Sequence, residues 1–332
     1  MPEFTVQSLL TTPCVAVQDV GCSGGHRHPD AEEHASATHL VFPYRGAFVR
    51  HLGRDEAVAE ANQVLFFNAF EGYRVSHPVP GGDASLDLVV DEATLRELAP
   101  SALLKDGADL EFRVQRLRID PRAQALVALL RHGLHAGIAE PLEAESVALT
   151  LVGRGLGPRS ARAARGSFAR RRLVDRAKLV LAADLSRRWT LAEVAAEVGG
   201  SPVYLTQAFQ QVEGLPLYRY QLHLRLARAL DLLGTYEDLS ALSLDLGFSS
   251  HSHFSAAFQR TEGLPLYRYQ LHLRLARALD LLGTYEDLSA LSLDLGFSSH
   301  SHFSAAFQRT YGRTPSEFRR SLQRCTPAAP DR

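Results

Sequence analysis

His26, His28, Glu33 and His77 have the side-chain types of a divalent-metal site, a His-x-His-x4-Glu cluster completed by a later histidine, a set that could activate water or hold a sensing ion. The glycine spacing after Glu33 does not match that of enzymes with this pattern, and no other catalytic group accompanies it. The expectation is a protein with no metal, no cofactor and no catalysis, and a metal-dependent enzyme or sensor is the alternative. Cys14 and Cys22, near these histidines, add a zinc or thiol sensor to that alternative. His251 with His253, and His300 with His302, form two His-x-His pairs. On a helix, residues i and i+2 point in different directions, so the pairs are poor ligands and read as surface or phosphate-contacting histidines. Arg260, Arg309, Arg313, Arg319 and Arg320 suit a different chemistry, charge-assisted contact with phosphate oxygens.

The histidine pairs, with Arg260 and Arg309, belong to an internal repeat. Residues 213–261 and 262–310 are the same 49 letters, so the duplication is very recent, engineered, or an error in gene assembly. The spacing from Phe209 to Gly214 recurs from Phe258 to Gly263 and from Phe307 to Gly312, so the insertion respects a structural period. Within one period, Tyr218, Leu222, Leu226, Leu230 and Leu233 fall on one stripe of a predicted helix that Gly234 would stop. A short helix follows, with Leu239, Leu242 and Leu246 on one face and Glu237 and Asp238 at its start. Gly247 supplies a left-handed turn, Phe248 an apolar plug and Ser249 or Ser250 a cap, before a helix that buries Phe254 and Phe258. Upstream, Leu191, Val194, Ala195 and Val198, then Gly199-Gly200-Ser201, then Leu205 and Phe209, give the same helix-turn-helix pattern in other letters. A bundle hairpin would explain one such unit. Two kinds of unit spaced by a long helix in a basic segment favour nucleic-acid binding.

The basic segment emerges from the charge distribution. The 332 residues are 45% hydrophobic and 22% charged, with a mean hydropathy of −0.10, an ordinary globular composition. Residues 1–150 carry a net −9, and residues 151–332 a net +8. The cations are almost all Arg, with only two lysines, Lys105 and Lys178. Three cysteines exclude a disulfide framework, and the lack of a leader or of a long uncharged apolar run predicts a cytoplasmic chain with no membrane partner.

From about Leu173 to Leu322 the sequence resembles the DNA-binding domain of AraC/XylS-type transcription regulators, two helix-turn-helix units joined by a linker helix. The resemblance is carried by Leu191-x-x-Val194-Ala195 with Ser201-Pro202-x-Tyr204-Leu205. It is carried above all by Gly296-Phe297-Ser-Ser-His-Ser-His302-Phe303-Ser-x-x-Phe307-x-x-x-x-Gly312-x-x-Pro315-x-x-Phe318-Arg319. The sequence departs from the family in having two linkers and two second units. Leu217 and Leu266 stand where Pro is usual, Ser243 and Ser292 where Ala is usual, and Ala256 and Ala305 where a long polar residue is frequent. By the resemblance, the base-facing positions are Val203, Thr206 and Gln207 in the first unit, Ser252, Ser255 and Ala256 in the second, and Ser301, Ser304 and Ala305 in the third. Gln207 could pair with adenine and Val203 could touch a thymine methyl, whereas the short repeated residues suit positioning on phosphate and shape. Arg260, Arg309 and Arg313 complete the expected DNA-binding set. The start of the second linker resembles the C-terminal helix in its Gly-to-aromatic spacing, so it is expected to replace that helix behind the first copy, giving a string of three units; the competing picture is that one copy docks and displaces the other.

The acidic half reads as short strands, among them His39–Tyr44, Gly46–Leu52, Asn62–Asn68 and Ser85–Val90, bounded by turn residues. It resembles the cupin-like sensor domain that precedes the DNA-binding domain in many family members, through Leu40-Val-Phe-x-x-Arg45-Gly-x-Phe48-Val and Tyr73-Arg-Val-Ser-His-Pro78-Val. The expected fold is α+β multidomain: a cupin-like sensor barrel over 1–118, a helical hairpin over 119–153, a basic linker over 154–170 and the DNA-binding domain over 171–324. By the resemblance, the hairpin, about Pro121–Ala136 and Pro141–Val152, is a dimerisation element, and a hairpin that only caps the barrel is the alternative. The function implied is an effector-responsive regulator with double-stranded promoter DNA, a small-molecule effector, a second copy and, for an activator, RNA polymerase as partners. A helical-repeat interaction protein, its DNA binding impaired by the duplication, is the further alternative.

Overall fold

The computed structural model describes residues 4–25, 28–107, 109–137, 139–157, 161–162, 167–236, 238–263, 265–282 and 284–325. Its first half is β-rich. The strands are β1 (Phe4–Thr11), β2 (Val15–Cys22), β3 (Glu33–His34), β4 (His39–Arg45), β5 (Ala47–Leu52), β6 (Asp55–Glu60), β7 (Gln63–Phe67), β8 (Gly72–Ser76), β9 (Asp83–Val90), β10 (Arg116–Arg118) and β11 (Ala161–Arg162). They pair into a seven-stranded sheet, β1-β2-β9-β4-β7-β10-β11, and a four-stranded sheet, β3-β8-β5-β6, that curl into an antiparallel half-barrel. Side chains alternate across a strand, and here both faces are covered. Leu40 and Phe42 of β4, with Val64 and Phe66 of β7, join the core beneath the helices; Val41, Leu65 and Phe67 join Phe48 and Ala59 between the sheets. That double burial is why these strands read as unbroken apolar runs.

Helices α1 (Glu92–Leu98), α2 (Pro121–His135) and α3 (Pro141–Leu156) close the outer face of the larger sheet. α2 starts with Pro at its first turn and with Asp120 accepting from Ala123 N at 3.0 Å. α3 runs past Val152 to Leu156, because Leu156 is buried and Gly155 packs on the Phe42 ring. Within the expected linker, Ala161 and Arg162 pair with Arg118 and Leu117; residues 158–160 and 163–166 lie outside the described residues.

The second half is helical: α4 (Phe168–Ala183), α5 (Leu191–Glu197), α6 (Pro202–Glu213), α7 (Leu217–Leu232), α8 (Leu239–Asp245), α9 (His251–Glu262), α10 (Leu266–Leu281), α11 (Leu288–Asp294), α12 (His300–Tyr311) and α13 (Pro315–Cys325). α4, α7 and α10 each span 16 residues, 49 apart, so the half is a three-fold series of one long and two short helices, closed by α13. The expected stripe on α7 holds at Leu222, Leu226, Leu230 and Leu233, which pack in one core, and fails at Tyr218. Tyr218 is 65% exposed, and the helix buries two faces: Tyr220, Leu224 and Ala227 toward the first unit, and Leu226, Leu230 and Leu233 toward the second. A helix shared by two cores has no single apolar stripe. Gly234 is not the left-handed stop, since the backbone tightens after α7 through Tyr236 N donating to Leu232 O at 3.2 Å.

Candidate nucleic-acid interface

In the first unit Thr190 caps α5 in a reciprocal box with Glu193, whose carboxyl the Thr190 hydroxyl and Arg187 hold down at about 2. Val194, Ala195 and Val198 are buried, and the backbone turns at left-handed Gly199 before Ser201 caps α6. Leu205, Ala208, Phe209 and Val212 then point into the core. The 3.6-residue period leaves Val203, Thr206 and Gln207 on the opposite face, all exposed, Val203 at 67%.

The second and third units repeat one construction. Asp238 and Asp287 cap α8 and α11; Glu237, the other expected N-terminal acid, lies outside the described residues. The buried Ser243 and Ser292 hydroxyls donate to Ser240 O and Ser289 O at 2.8 Å, which is how a hydroxyl is accommodated where Ala is usual. A β-carbon on left-handed Gly247 would lie 2.2 Å from Ser186 O, so only glycine fits this turn. Ser250 and Ser299, rather than Ser249 and its copy, cap α9 and α12. Phe254, Ala257 and Phe258 are buried, as are Phe303, Ala306 and Phe307. Ser252 and Ala256, with Ser301 and Ala305, are exposed on the far side, and Ser255 and Ser304 are half-buried.

The remaining candidates divide. Arg260, Arg309 and Arg313 are exposed beside these faces; the first two donate from Nε to Ala256 O and Ala305 O at 3.2 and 3.3 Å. Arg319 is turned inward, its Nη1 donating to Tyr285 O and Glu286 O at 3.0 and 2.9 Å. His253 and His302 stand edge-on to Phe248 and Phe297, with ring nitrogens 3.2 Å from Ser249 Oγ and Ser298 Oγ, so one member of each His-x-His pair braces a turn. In the first half, His77 Nδ1 lies 2.6 Å from Asp83 Oδ2 and Glu33 Oε2 accepts from Tyr73 at 3.0 Å. His26 lies outside the described residues, and among those described no group of three His, Cys, Asp or Glu side chains is arranged to hold a metal.

Sequence reasoning missed the seam between the halves. Lys178 of α4 is fully buried, its Nζ 2.5 Å from Glu213 Oε1 at the end of α6. Burial would raise the Glu213 carboxyl, but Lys178 and Arg116 hold it below its usual range. The Tyr220 hydroxyl of α7 donates to Glu60 of β6, and Gln63 Nε2 of β7 donates to the same hydroxyl at 3.2 Å. Arg116 Nη2 donates to Asp175 of α4 at 2.7 Å. The half-barrel is thus tied to the first unit through buried charge. The rarity of lysine in an Arg-rich sequence was the one available signal for Lys178. α2 also contacts α7 and α9, with Arg131 Nη2 donating to Asp231 at 2.5 Å.

A family model described as a helix-turn-helix domain matches residues 194–272 and again 259–321, from α5 into α10 and from the end of α9 into α13. No curated protein matches. Solved structures that resemble this protein include ToxT from Vibrio cholerae O395, 12% identical over 79% of this chain and 99% of that one, with a TM-score of 0.31. An AraC-type transcriptional regulator from Chromobacterium violaceum is 25% identical over 32% of this chain and 96% of that one, at 0.31. The C-terminal domain of AraT, a response regulator from Geobacillus stearothermophilus, is 27% identical over 30% and 83%, at 0.29. Scores this low carry no argument alone; the family match and the helix geometry do. Residues 194–321 of this chain match a helix-turn-helix domain, and α5–α6, α8–α9 and α11–α12 are its three helix-turn-helix units.

Proposed function

We propose that the protein is an effector-responsive regulator that binds promoter DNA in the cytoplasm, with no catalytic step. The carrying observation is that α6, α9 and α12 each bury one face on phenylalanine and leave the opposite face open, in the half with a net +8. Val203, Thr206 and Gln207 supply most base discrimination, Ser252, Ser255, Ala256, Ser301, Ser304 and Ala305 lie along the groove, and Arg260, Arg309 and Arg313 hold phosphate.

A cavity of about 390 Å³ lined by both sheets, with Arg50, Phe66, Asn68, Gln115 and Arg116 in its wall, is the place for a small effector. Because Arg116 also bonds Asp175 of α4, an occupant that moves Arg116 would reach the first unit, biasing its placement. Exposed Leu129 and Leu142 support homodimerisation on the α2–α3 hairpin, and RNA polymerase is the further partner of an activator. Footprinting on the DNA upstream of the protein's own gene tests the reading. Protection that weakens steeply with salt, a log–log slope of about −0.9 per phosphate held, is expected; no protected site, with or without cell extract to supply effector, would overturn it.

A further inference from the structure

The helical half contains three joints, and they are built alike. In each, the aromatic residue six places after the glycine that ends a recognition helix packs on that helix's last phenylalanine. Tyr220 lies on Phe209 with ring centroids 5.1 Å apart and 81° between planes; Tyr269 lies on Phe258 at 5.8 Å and 68°, and Phe318 on Phe307 at 5.8 Å and 72°. The next residue in each case reaches a carbonyl ahead of the unit's first helix. Gln221 Nε2 donates to Arg187 O at 3.3 Å, Gln270 Nε2 to Tyr236 O at 3.1 Å, and Arg319 Nη1 to Tyr285 O at 3.0 Å. The start of α10 therefore does behind the second unit what α13 does behind the third, and both copies fold in place.

The far ends of the two linkers also match. Arg225 and Arg274 each donate from Nη1 to the carbonyl of the left-handed glycine in the following turn, Gly247 and Gly296. Leu226, Leu233, Phe248 and Phe258 of the second core recur 49 residues later as Leu275, Leu282, Phe297 and Phe307 of the third. α7 leads from the first unit to the second and α10 from the second to the third, with the same letters seated in the same way at both ends. One step taken twice generates a screw, the head-to-tail arrangement that contains no two-fold axis. Along it, Ser252, Ser255 and Ala256 and then Ser301, Ser304 and Ala305 have the same exposure, so they offer a duplex the same side chains, with Ser304 Oγ also 3.3 Å from His300 Nε2. The first unit, with Val203, Thr206 and Gln207, offers different ones.

We infer that the DNA this protein recognises has the pattern X-Y-Y: a first sub-site X read by α6, followed by two copies of a second sub-site Y in direct, not inverted, orientation, read by α9 and α12 at equal steps. The step is about one helical turn, roughly 10 bp, as for recognition helices that enter successive major grooves. This rests on the DNA-binding reading above and adds the form of the target.

Selection from random duplexes long enough for three helical turns tests it, with the full-length protein and with a variant lacking residues 262–310. The full-length protein is expected to enrich X-Y-Y, preferring it by at least about tenfold, the effect of one or two mismatched base pairs. The shortened variant is expected to enrich X-Y. In the full-length protein, Ala305→Gln adds a side chain suited to adenine in the third unit alone; it is expected to change the base preference of the last Y and leave the first Y as it was, and it keeps the test open should the deletion fail to fold. Enrichment of X-Y alone by the full-length protein, a second Y inverted or differently spaced, or an Ala305→Gln effect on the first Y would overturn the inference while leaving DNA binding intact. No salt-sensitive enrichment by either protein would overturn the DNA-binding reading along with it.

Discussion

Glu213 and Glu262 hold the same place one period apart, yet Glu213 meets Lys178 Nζ at 2.5 Å while neither carboxylate oxygen of Glu262, both shielded from solvent, has a hydrogen-bonding partner among the described residues. Forty-nine residues after Lys178 comes Ala227, which packs in the core of the first unit. The duplicated segment carried the acid and left its cation behind.

Burial lifts the Glu262 carboxyl to about 8, with Asp120 adding to the shift and Arg122 opposing it. The folded state thus binds this proton more tightly than the unfolded state does. Its contribution to stability is present at or below the ordinary value of 4.5 and is lost as the pH rises toward about 8. Glu262→Gln is expected to stabilise the protein by on the order of 1–2 kcal/mol at the alkaline end of that window and by little at its acid end. Urea denaturation of both proteins across the window checks this; a difference independent of pH would contradict it.

Tyrosine to phenylalanine should have opposite consequences at two positions with identical neighbours in sequence. The Tyr220 hydroxyl is bonded to Glu60 and Gln63, and the Tyr269 hydroxyl is buried without a partner among the described residues. Tyr220→Phe is expected to cost about 1–3 kcal/mol, and Tyr269→Phe to be neutral or stabilising. Equal losses in denaturation midpoints would show that the two hydroxyls are equally satisfied.

Lys178→Met removes the buried cation facing Glu213 and Asp175. Breaking one side of a buried pair costs about 3–5 kcal/mol, and the loss should fall on the joint between the half-barrel and α4–α6. Hydrogen exchange is expected to quicken in β6, β7 and α4 before it does in α11 and α12, which belong to a separate core. Uniform quickening would argue against a local seam.

On DNA, Gln207→Ala should relax the preference at one base pair of the first sub-site, by about 1–3 kcal/mol. Arg309→Ala should weaken binding to all sequences alike and make the salt slope shallower by about 1. Titrations at several salt concentrations on matched and mismatched duplexes separate these outcomes.

What the sequence revealed depended on how local the cause was. Ser201 and Ser250 cap, Gly199 and Gly247 turn left-handed, and Phe254 and Phe258 are buried because each follows from neighbours within one or two helical turns. The α7 stripe from Leu222 to Leu233 was legible, but the second buried face at Tyr220 and Leu224 was not, because a different unit covers it and periodicity counts one face at a time. Arg50, fully buried with Nη2 2.6 Å from Glu71, and Lys178 with Glu213 are pairs between distant segments, which nothing in the local pattern records. The histidine spacing that suggested a metal was shared out instead: His77 to Asp83, and Glu33 to Tyr73.

α10 finishes the second unit with its first turn and begins the third with its last. In the language of polymers, the half-barrel with α4–α6 is an initiating group, α13 is a terminating group, and each of the two 49-residue copies between them is a monomer whose two ends fit each other. Whole monomers can be gained or lost by recombination without leaving an apolar end uncovered. Folding accepts the second monomer on the same terms as the first, apart from the unpartnered carboxyl of Glu262 and hydroxyl of Tyr269.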